Sequence, residues 1–408
     1  MRLLGRLGRA AERIRRPFCY LCTSWLTLPC HSRHSPPMPT PLHALLAAGQ
    51  SAWLDYIDRT MLHNGELVRR IREESLTGMT SNPTIFEKAL AQGTAYDAQL
   101  TSAPAGATAW ELFELVETDD VRNACDIFRG VYDASLGGDG YVSIEVSPAS
   151  AHDAAATVAE AHRLWANVAR PNVMIKVPGT PEGCIALRRL IADGINVNVT
   201  LLFAVDAHAR VIDAYLGGLE DRVAAGGDVS SISSVASFFV SRVDNEIDKR
   251  LGQIGSPSAT ALLGTAAIAN AKMAYALFRE RFAGPRWDAL AAKGARVQRP
   301  LWASTGTKNP AYSDVKYVET LIGADTVNTL PPATLDAFRD HGKVARTVDT
   351  NVAEARAQLA AIAALGIDLS AVTDQLLTEG LASFQKSFDT LIAGLEGKAK
   401  ALGRSVNA

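Results

Sequence analysis

From residue 40 onward, short runs rich in β-branched residues recur, each separated from the next by a longer segment of helical character. The strand candidates are residues 51–57, 78–83, 141–146, 173–178, 196–203, 234–242, 299–305 and 325–330, eight in all. Between them lie amphipathic or Ala-rich stretches over 61–74, 110–131, 154–167, 181–193, 205–216 and 259–282. Eight alternating β and α units at this length argue for a (β/α)8 TIM barrel over an open doubly wound sheet. Residues 217–231, with their Gly and Ser content, read as a loop insertion rather than a domain boundary. After the eighth strand the chain continues as mostly helix, over 352–365 and 369–402. The barrel therefore carries additional C-terminal helices, able to cover its mouth or a partner subunit.

The 408 residues are 48% hydrophobic and 21% charged, enough for one large core. A formal net charge of -2 gives no global attraction for nucleic acid or an anionic membrane, so any phosphate binding must be local. No uncharged apolar run reaches the roughly 18 residues of a membrane-spanning helix. Residues 1–37 differ from all that follows, with arginines at 2, 6, 9, 13, 15, 16 and 33 against one acid, Glu12. This Arg-rich leader is read as standing outside the fold, either as an untranslated stretch ahead of a true start at Met38 or as a targeting segment. A single barrel domain then occupies 38–408. Three of the five cysteines, Cys19, Cys22 and Cys30, crowd into the leader, which is no disulfide framework and suits a reducing, cytoplasmic setting. Cys19, Cys22, Cys30, His31 and His34 superficially offer metal ligands, but their spacing matches no standard zinc finger.

Side-chain alternation along a barrel strand decides which polar groups can meet at its mouth. Trp53, Asp55 and Ile57 share one face, as do Thr80 and Asn82, Ser143 and Glu145, and Met174 and Lys176. In the fifth candidate Asn196, Asn198 and Thr200 line up, and in the sixth Ser237, Phe239 and Ser241. Barrel enzymes hold catalytic groups at the C-terminal ends of their strands. Lys176 sits in an apolar run, where it either snorkels into water or acts as a poorly hydrated amine able to attack a carbonyl. Glu145 and Asp55 beside it suit imine chemistry: one carboxyl group to expel water, the other to accept a hydroxyl proton when a C–C bond breaks. Phe239 supplies an apolar wall that limits hydration. Arg242, and the run Ser304-Thr305-Gly306-Thr307-Lys308-Asn309, offer charge and donors for a phosphate. A surface ion pair of Arg242 with Asp244 is the plainer alternative.

Three ordered motifs carry a resemblance: Thr80-Ser81-Asn82-Pro83-Thr84-Ile85-Phe86-Glu87-Lys88, Ile175-Lys176-Val177-Pro178-Gly179-Thr180, and Gly194-Ile195-Asn196-Val197-Asn198-Val199-Thr200-Leu201-Leu202-Phe203. With Ala236-Ser237-Phe238-Phe239-Val240-Ser241-Arg242-Val243-Asp244 and Trp302-Ala303-Ser304-Thr305-Gly306-Thr307-Lys308-Asn309-Pro310, the chain from about residue 42 onward resembles the transaldolases, in their longer bacterial and plant-type branch. The resemblance implies a barrel enzyme of the non-oxidative pentose phosphate pathway, moving a dihydroxyacetone unit between sugar phosphates with no cofactor and no metal. It makes Lys176 the Schiff-base lysine, Glu145 the carboxylate that handles water with Thr200, and Asp55 the carboxylate of C–C cleavage. Asn82, Asn198 and Ser237 would bind sugar hydroxyls, with Arg242, Ser304 and Lys308 around the phosphate. Small sugar phosphates are the implied partners, with neither nucleic acid nor membrane, for a monomer or homodimer. A fructose 6-phosphate aldolase of the same superfamily and a silent sugar-phosphate-binding barrel are the rival readings. The shorter aldolases carry glutamine and tyrosine where Glu145 and Phe239 stand, which favours transfer.

Overall fold

Eight parallel strands close on themselves in sequence order, β1 (Gln50–Asp55), β2 (Leu76–Thr80), β3 (Val142–Glu145), β4 (Val173–Pro178), β5 (Val197–Leu202), β6 (Ser234–Phe239), β7 (Arg299–Ala303) and β8 (Thr326–Leu330). Helices occupy the connections, so the (β/α)8 expectation holds, additional C-terminal helices included. The structure is a computed structural model describing residues 40–91 and 93–405. The readings placed on residues 1–37, the Cys and His cluster among them, lie outside the described residues.

The β4 unit shows why the local sequence folds as it does. Val173–Pro178 is fully buried, as expected of a β-branched run covered on both faces. Thr180 then caps the helix Pro181–Asp193, its Oγ1 accepting from Gly183 N at 2.9 Å, with Pro181 at the first helical position and Gly194 ending the helix at φ 93°. Both boundaries match the sequence reading because each is set by residues within a few positions.

Other boundaries move. The 234–242 run stops as a strand at Phe239, and Ser241 opens the helix Ser241–Ile254. Val240 N and Ser241 N still bond to Ala303 O and Ser304 O, so the first helical residues stay tied to the end of β7. Asn82 likewise leaves the strand and begins the helix Pro83–Ala91, its Oδ1 accepting from Ile85 N at 3.0 Å. The 61–74 and 259–282 stretches are each two helices, Arg59–His63 with Glu66–Glu74, and Pro257–Thr260 with Ala266–Arg281.

The expected loop over 217–231 begins only at Ala225: the helix Val205–Ala224 runs through Gly217 and Gly218. A Cβ on Gly218 would lie 2.6 Å from Arg188 O, so this glycine serves the close approach of the helix Pro181–Asp193, not a turn. The same helix carries His208, fully buried against Phe238 at 6.0 Å between ring centroids, with neither ring nitrogen hydrogen-bonded among the described residues. Burial pushes its pKa down to about 4.

The final helix, Leu369–Ala401, has 33 residues and so spans about 50 Å. Phe388 packs on Trp110 and Phe113 at 5.1 and 5.7 Å, and Ser387 Oγ accepts from Thr84 Oγ1 at 2.8 Å. Further on, Lys398 donates to Gly93 O at 2.8 Å and Arg404 to Leu100 O at 2.6 Å. These contacts hold the helix against the C-terminal end of the barrel, where it forms part of the wall of the central cavity.

Candidate active site

A cavity of about 350 Å³ opens at the C-terminal ends of the strands, within the size range of small-molecule sites. Lys176, at the end of β4, stands in its floor with its side chain 6% exposed. The Nζ donates to Glu145 Oε2 at 3.1 Å and to Ser81 O at 3.2 Å. Snorkelling into water is thereby ruled out, since the ammonium ends in an internal pair. The β3–β4 register sets Glu145 beside Lys176, which is why a carboxylate at that strand position reaches the amine.

Asp55, at the end of β1, lines the same cavity and is partly buried. Loss of hydration raises its pKa, and the positive charge of Lys176 opposes the rise. The Glu145 carboxyl is raised in the same way: burial is the larger cause, Lys176 opposes it through charge and hydrogen bond, and Asp55 adds to it. Two acids whose burial favours the neutral form thus flank one amine, so proton exchange among the three costs little charge separation.

Thr200 lies on the neighbouring strand, paired in register with Pro178. Its hydroxyl is buried, lines the cavity, and has no hydrogen-bond partner among the described residues. The next residue, Leu201, holds φ 59° inside β5 where the register to β6 slips, an uncommon backbone state for a branched side chain. Leu201 also meets the final helix: a Cβ on Gly380 would lie 3.0 Å from its Cδ2, so glycine here lets the helix approach without the leucine side chain having to shift.

At the other end of the cavity stand Arg242, Ser304, Gly306, Thr307 and Lys308. Arg242 makes no hydrogen bond or ion pair among the described residues and lies 5.4 Å over the Phe239 ring. Desolvation lowers its pKa, with Glu379 opposing, but a guanidinium keeps its charge. The Arg242–Asp244 pair weighed from sequence does not form. Asp244 instead accepts from Ala267 N at 2.7 Å and from the Tyr317 hydroxyl at 2.8 Å, 3.6 Å from the Lys316 ammonium. An unpaired, partly desolvated cation facing a cavity is poised for an anion. Ser304, at φ 57°, turns the chain after β7 so that its Oγ meets Ser241 Oγ at 2.9 Å. Lys308 is the exposed member at the rim.

Of the eleven residues singled out from sequence, nine line this cavity: Asp55, Asn82, Lys176, Thr200, Ser237, Phe239, Arg242, Ser304 and Lys308. Asn198 is not a lining residue. It lies deeper, accepting from Ser237 Oγ at 2.7 Å and donating to Ser143 Oγ at 3.0 Å, and so orients Ser237 instead of facing the cavity. Glu145 lines a smaller cavity and reaches the main site where its Oε2 accepts from the Lys176 Nζ. Strand alternation gave the correct face for both but could not give depth. Phe384 was missed. It reaches over Lys176 from the final helix, 5.8 Å from the Nζ to the ring centroid, and nothing local in its sequence marks it. Among the described residues no group of three or more His, Cys, Asp or Glu side chains is arranged to hold a metal.

Fold and site together define a parallel (β/α)8 barrel with a buried lysine–carboxylate pair under a cavity ending in unpaired positive charge. Residues 52–395 match the family described as Transaldolase/Fructose-6-phosphate aldolase. A transaldolase of Frankia alni is 50% identical over 370 residues, covering 90% of this chain and 99% of the relative. One of Mycolicibacterium smegmatis is 51% identical over 362 residues, covering 88% and 98%. A protein named transaldolase 2 from a Nostoc species is 50% identical over 366 residues, covering 87% and 96%. The chain belongs to the transaldolase/fructose-6-phosphate aldolase family of enzymes.

Proposed function

We propose that the protein is a transaldolase, moving a dihydroxyacetone unit between ketose and aldose phosphates through an imine on Lys176. Sedoheptulose 7-phosphate and fructose 6-phosphate are the donors, glyceraldehyde 3-phosphate and erythrose 4-phosphate the acceptors. The observation that carries the reading is the 3.1 Å Lys176–Glu145 pair beneath a cavity whose far end holds the unpaired Arg242.

The neutral Lys176 amine attacks the ketose carbonyl carbon, and the resulting carbinolamine loses its hydroxyl as water by taking a proton from Glu145. Thr200, with its free hydroxyl in the cavity, steadies that water. Asp55 then accepts the proton of the β-hydroxyl as the adjoining C–C bond breaks, and the electron pair moves into the protonated imine to leave an enamine. The shortened aldose phosphate departs, the enamine carbon attacks the acceptor aldehyde, and the steps run in reverse to release the lysine. Asn82 and Ser237, the latter oriented by Asn198, hold sugar hydroxyls. Arg242, Ser304 and Lys308 hold the phosphate. Phe239 and Phe384 keep bulk water from the imine, so that an acceptor sugar, not solvent, takes up the three-carbon unit.

We place this activity in the non-oxidative pentose phosphate pathway of the cytoplasm, in a monomer or homodimer that binds neither nucleic acid nor membrane. A net charge of -2 gives no global attraction for nucleic acid or an anionic membrane, and among the described residues no single helix is long and apolar enough to cross a bilayer. The test is borohydride reduction in the presence of fructose 6-phosphate, followed by intact mass and peptide mapping. A reduced three-carbon adduct on Lys176 is expected. No adduct on folded protein, or one on another lysine, overturns the assignment, and release of free dihydroxyacetone without transfer to erythrose 4-phosphate makes the enzyme an aldolase.

A further inference from the structure

Behind Lys176, on the side away from substrate, lies a second cavity of about 10 Å³, close to the room one water needs. Glu145 forms part of its wall, and so do Glu117, from the helix Ala109–Ala134, and Glu160, from the helix Ala154–Val168. Glu117 is 4% exposed and makes no hydrogen bond to any described residue, although a buried carboxyl group normally finds one. Glu160 is partnered, accepting from Ser147 N at 3.1 Å and from Ser150 Oγ at 3.4 Å. Glu114 and Trp110 close the outer side, and the same two residues line an open groove of about 590 Å³ on the protein surface. A file of carboxyl groups therefore runs from Lys176 through Glu145, Glu117 and Glu160 to Glu114 and solvent, through the side of the barrel.

We propose that Glu117 is a positioning residue that carries protons between Glu145 and solvent by this side route while substrate fills the mouth. The inference rests on the Lys176–Glu145 chemistry proposed above. When Glu145 gives its proton to the departing hydroxyl, the Glu117 O–H proton passes through one cavity water to the new Glu145 carboxylate. Glu117, now a carboxylate, regains a proton from Glu160 or from water entering past Glu114. No proton has to cross the occupied substrate cavity.

The surroundings suit the role. Burial, and then the charges of Glu145, Glu160 and Glu114, raise the Glu117 pKa well above the carboxylate range, with Lys176 opposing, so the group starts with a proton to give. Arg163 lies 3.0 Å from Glu114 and 3.7 Å from Glu160 at the outer end of the file, and burial raises the Glu160 pKa against that positive charge, so Glu160 can hold a proton and pass it inward. The remaining wall is mostly apolar, with Pro83 from the helix Pro83–Ala91 and Phe388 from the final helix, and its one hydroxyl, Ser147, accepts from Ala149 N at 3.3 Å. A packed leucine would fill the Glu117 position without an unpartnered carboxyl, so packing alone does not account for the residue.

The test is Glu117→Gln, which keeps size and hydrogen-bonding capacity but cannot ionise. The expected result is a fall of about tenfold or more in kcat for dihydroxyacetone transfer, with KM unchanged and the pH profile shifted. The remaining rate should rise with the concentration of a small weak acid such as formate or imidazolium, to which the wild type is indifferent. Wild-type kcat and pH profile in the variant overturn the proposal. So does a lowered kcat that ignores added acid, since that marks a packing role. If circular dichroism shows the variant unfolded, Glu160→Gln decides by the same assay: an acid-rescued loss of kcat supports the route, and wild-type behaviour overturns it. Borohydride trapping on the wild type, run alongside, separates the two ideas. An adduct with an unaffected Glu117→Gln rejects the proton route alone, whereas no adduct rejects the Lys176 chemistry and the route with it.

Discussion

His208 should make the protein's stability depend on pH in a way that one substitution abolishes. The imidazole is fully buried against Phe238, both ring nitrogens lack partners among the described residues, and its pKa falls from 6.5 to about 4. The unfolded chain therefore binds a proton in the window between those values while the folded chain does not, and stability must drop as pH falls through it. At pH 5 the unfolded imidazole is almost wholly protonated and the folded one almost wholly neutral. At about 1.4 kcal/mol per pH unit below 6.5, lowering the pH from 7 to 5 costs about 2 kcal/mol. His208→Phe fills the same space without an ionisable group, so it loses none of this. It also removes two unsatisfied nitrogens and should be at least as stable as the wild type at pH 7. The assay is urea unfolding of both proteins at pH 7 and pH 5, comparing the change in unfolding free energy, because the remaining acids and bases contribute equally to each. Equal losses in wild type and variant would refute the reasoning, and would mean that the ring is hydrated or paired in solution.

Removing the Arg242 charge with Arg242→Met should cost about 2 kcal/mol of charge-assisted hydrogen bonding to phosphate. It should lower kcat/KM for fructose 6-phosphate about 30-fold and leave turnover of unphosphorylated fructose nearly unchanged, as steady-state kinetics on the two sugars will show. Phe384→Ala should destabilise the fold by about 3 kcal/mol and raise the ratio of free dihydroxyacetone released to dihydroxyacetone transferred, read by coupled product assays. Gly218→Ala should lower the thermal midpoint despite its better helix propensity. Its Cβ would meet Arg188 O at 2.6 Å, and overpacking of about 1 to 3 kcal/mol outweighs the roughly 1 kcal/mol gained from alanine.

The parts of the fold legible in the sequence are those whose causes are local. Val173–Pro178 and the helix after it carry a β-branched run, a Thr-Pro start and a glycine stop, all within a few residues of what they determine. Ser241 and Arg242 read as strand because the aromatic and β-branched run leads straight into them. What turns them into a helix is the hydrogen bonding of Val240 and Ser241 to the end of β7, some sixty residues away in sequence. Gly217 and Gly218 read as loop because glycine in isolation means backbone freedom, and only the neighbouring helix reveals that it means closeness. Alternation placed Asp55, Lys176, Thr200 and Ser237 on the cavity face, since the period of two is a property of the strand itself. Whether a side chain on that face ends in the main cavity or beside it depends on its neighbours, which is why alternation alone did not separate Asn198 and Glu145 from the residues that line it. Phe384 lies 208 positions beyond Lys176 and could be found only in three dimensions.

The placement of Phe384 also sets an order of events during synthesis. All eight strands have been made once translation reaches Leu330, and the barrel can close around its lysine from that point. The ring that covers the amine lies in a helix that ends only at Ala401, seven residues before the end of the chain. A nascent chain can therefore hold a folded barrel with an uncovered amine, open to any passing aldehyde. The amine is covered only after the final helix, made later than all eight strands, has docked across the mouth.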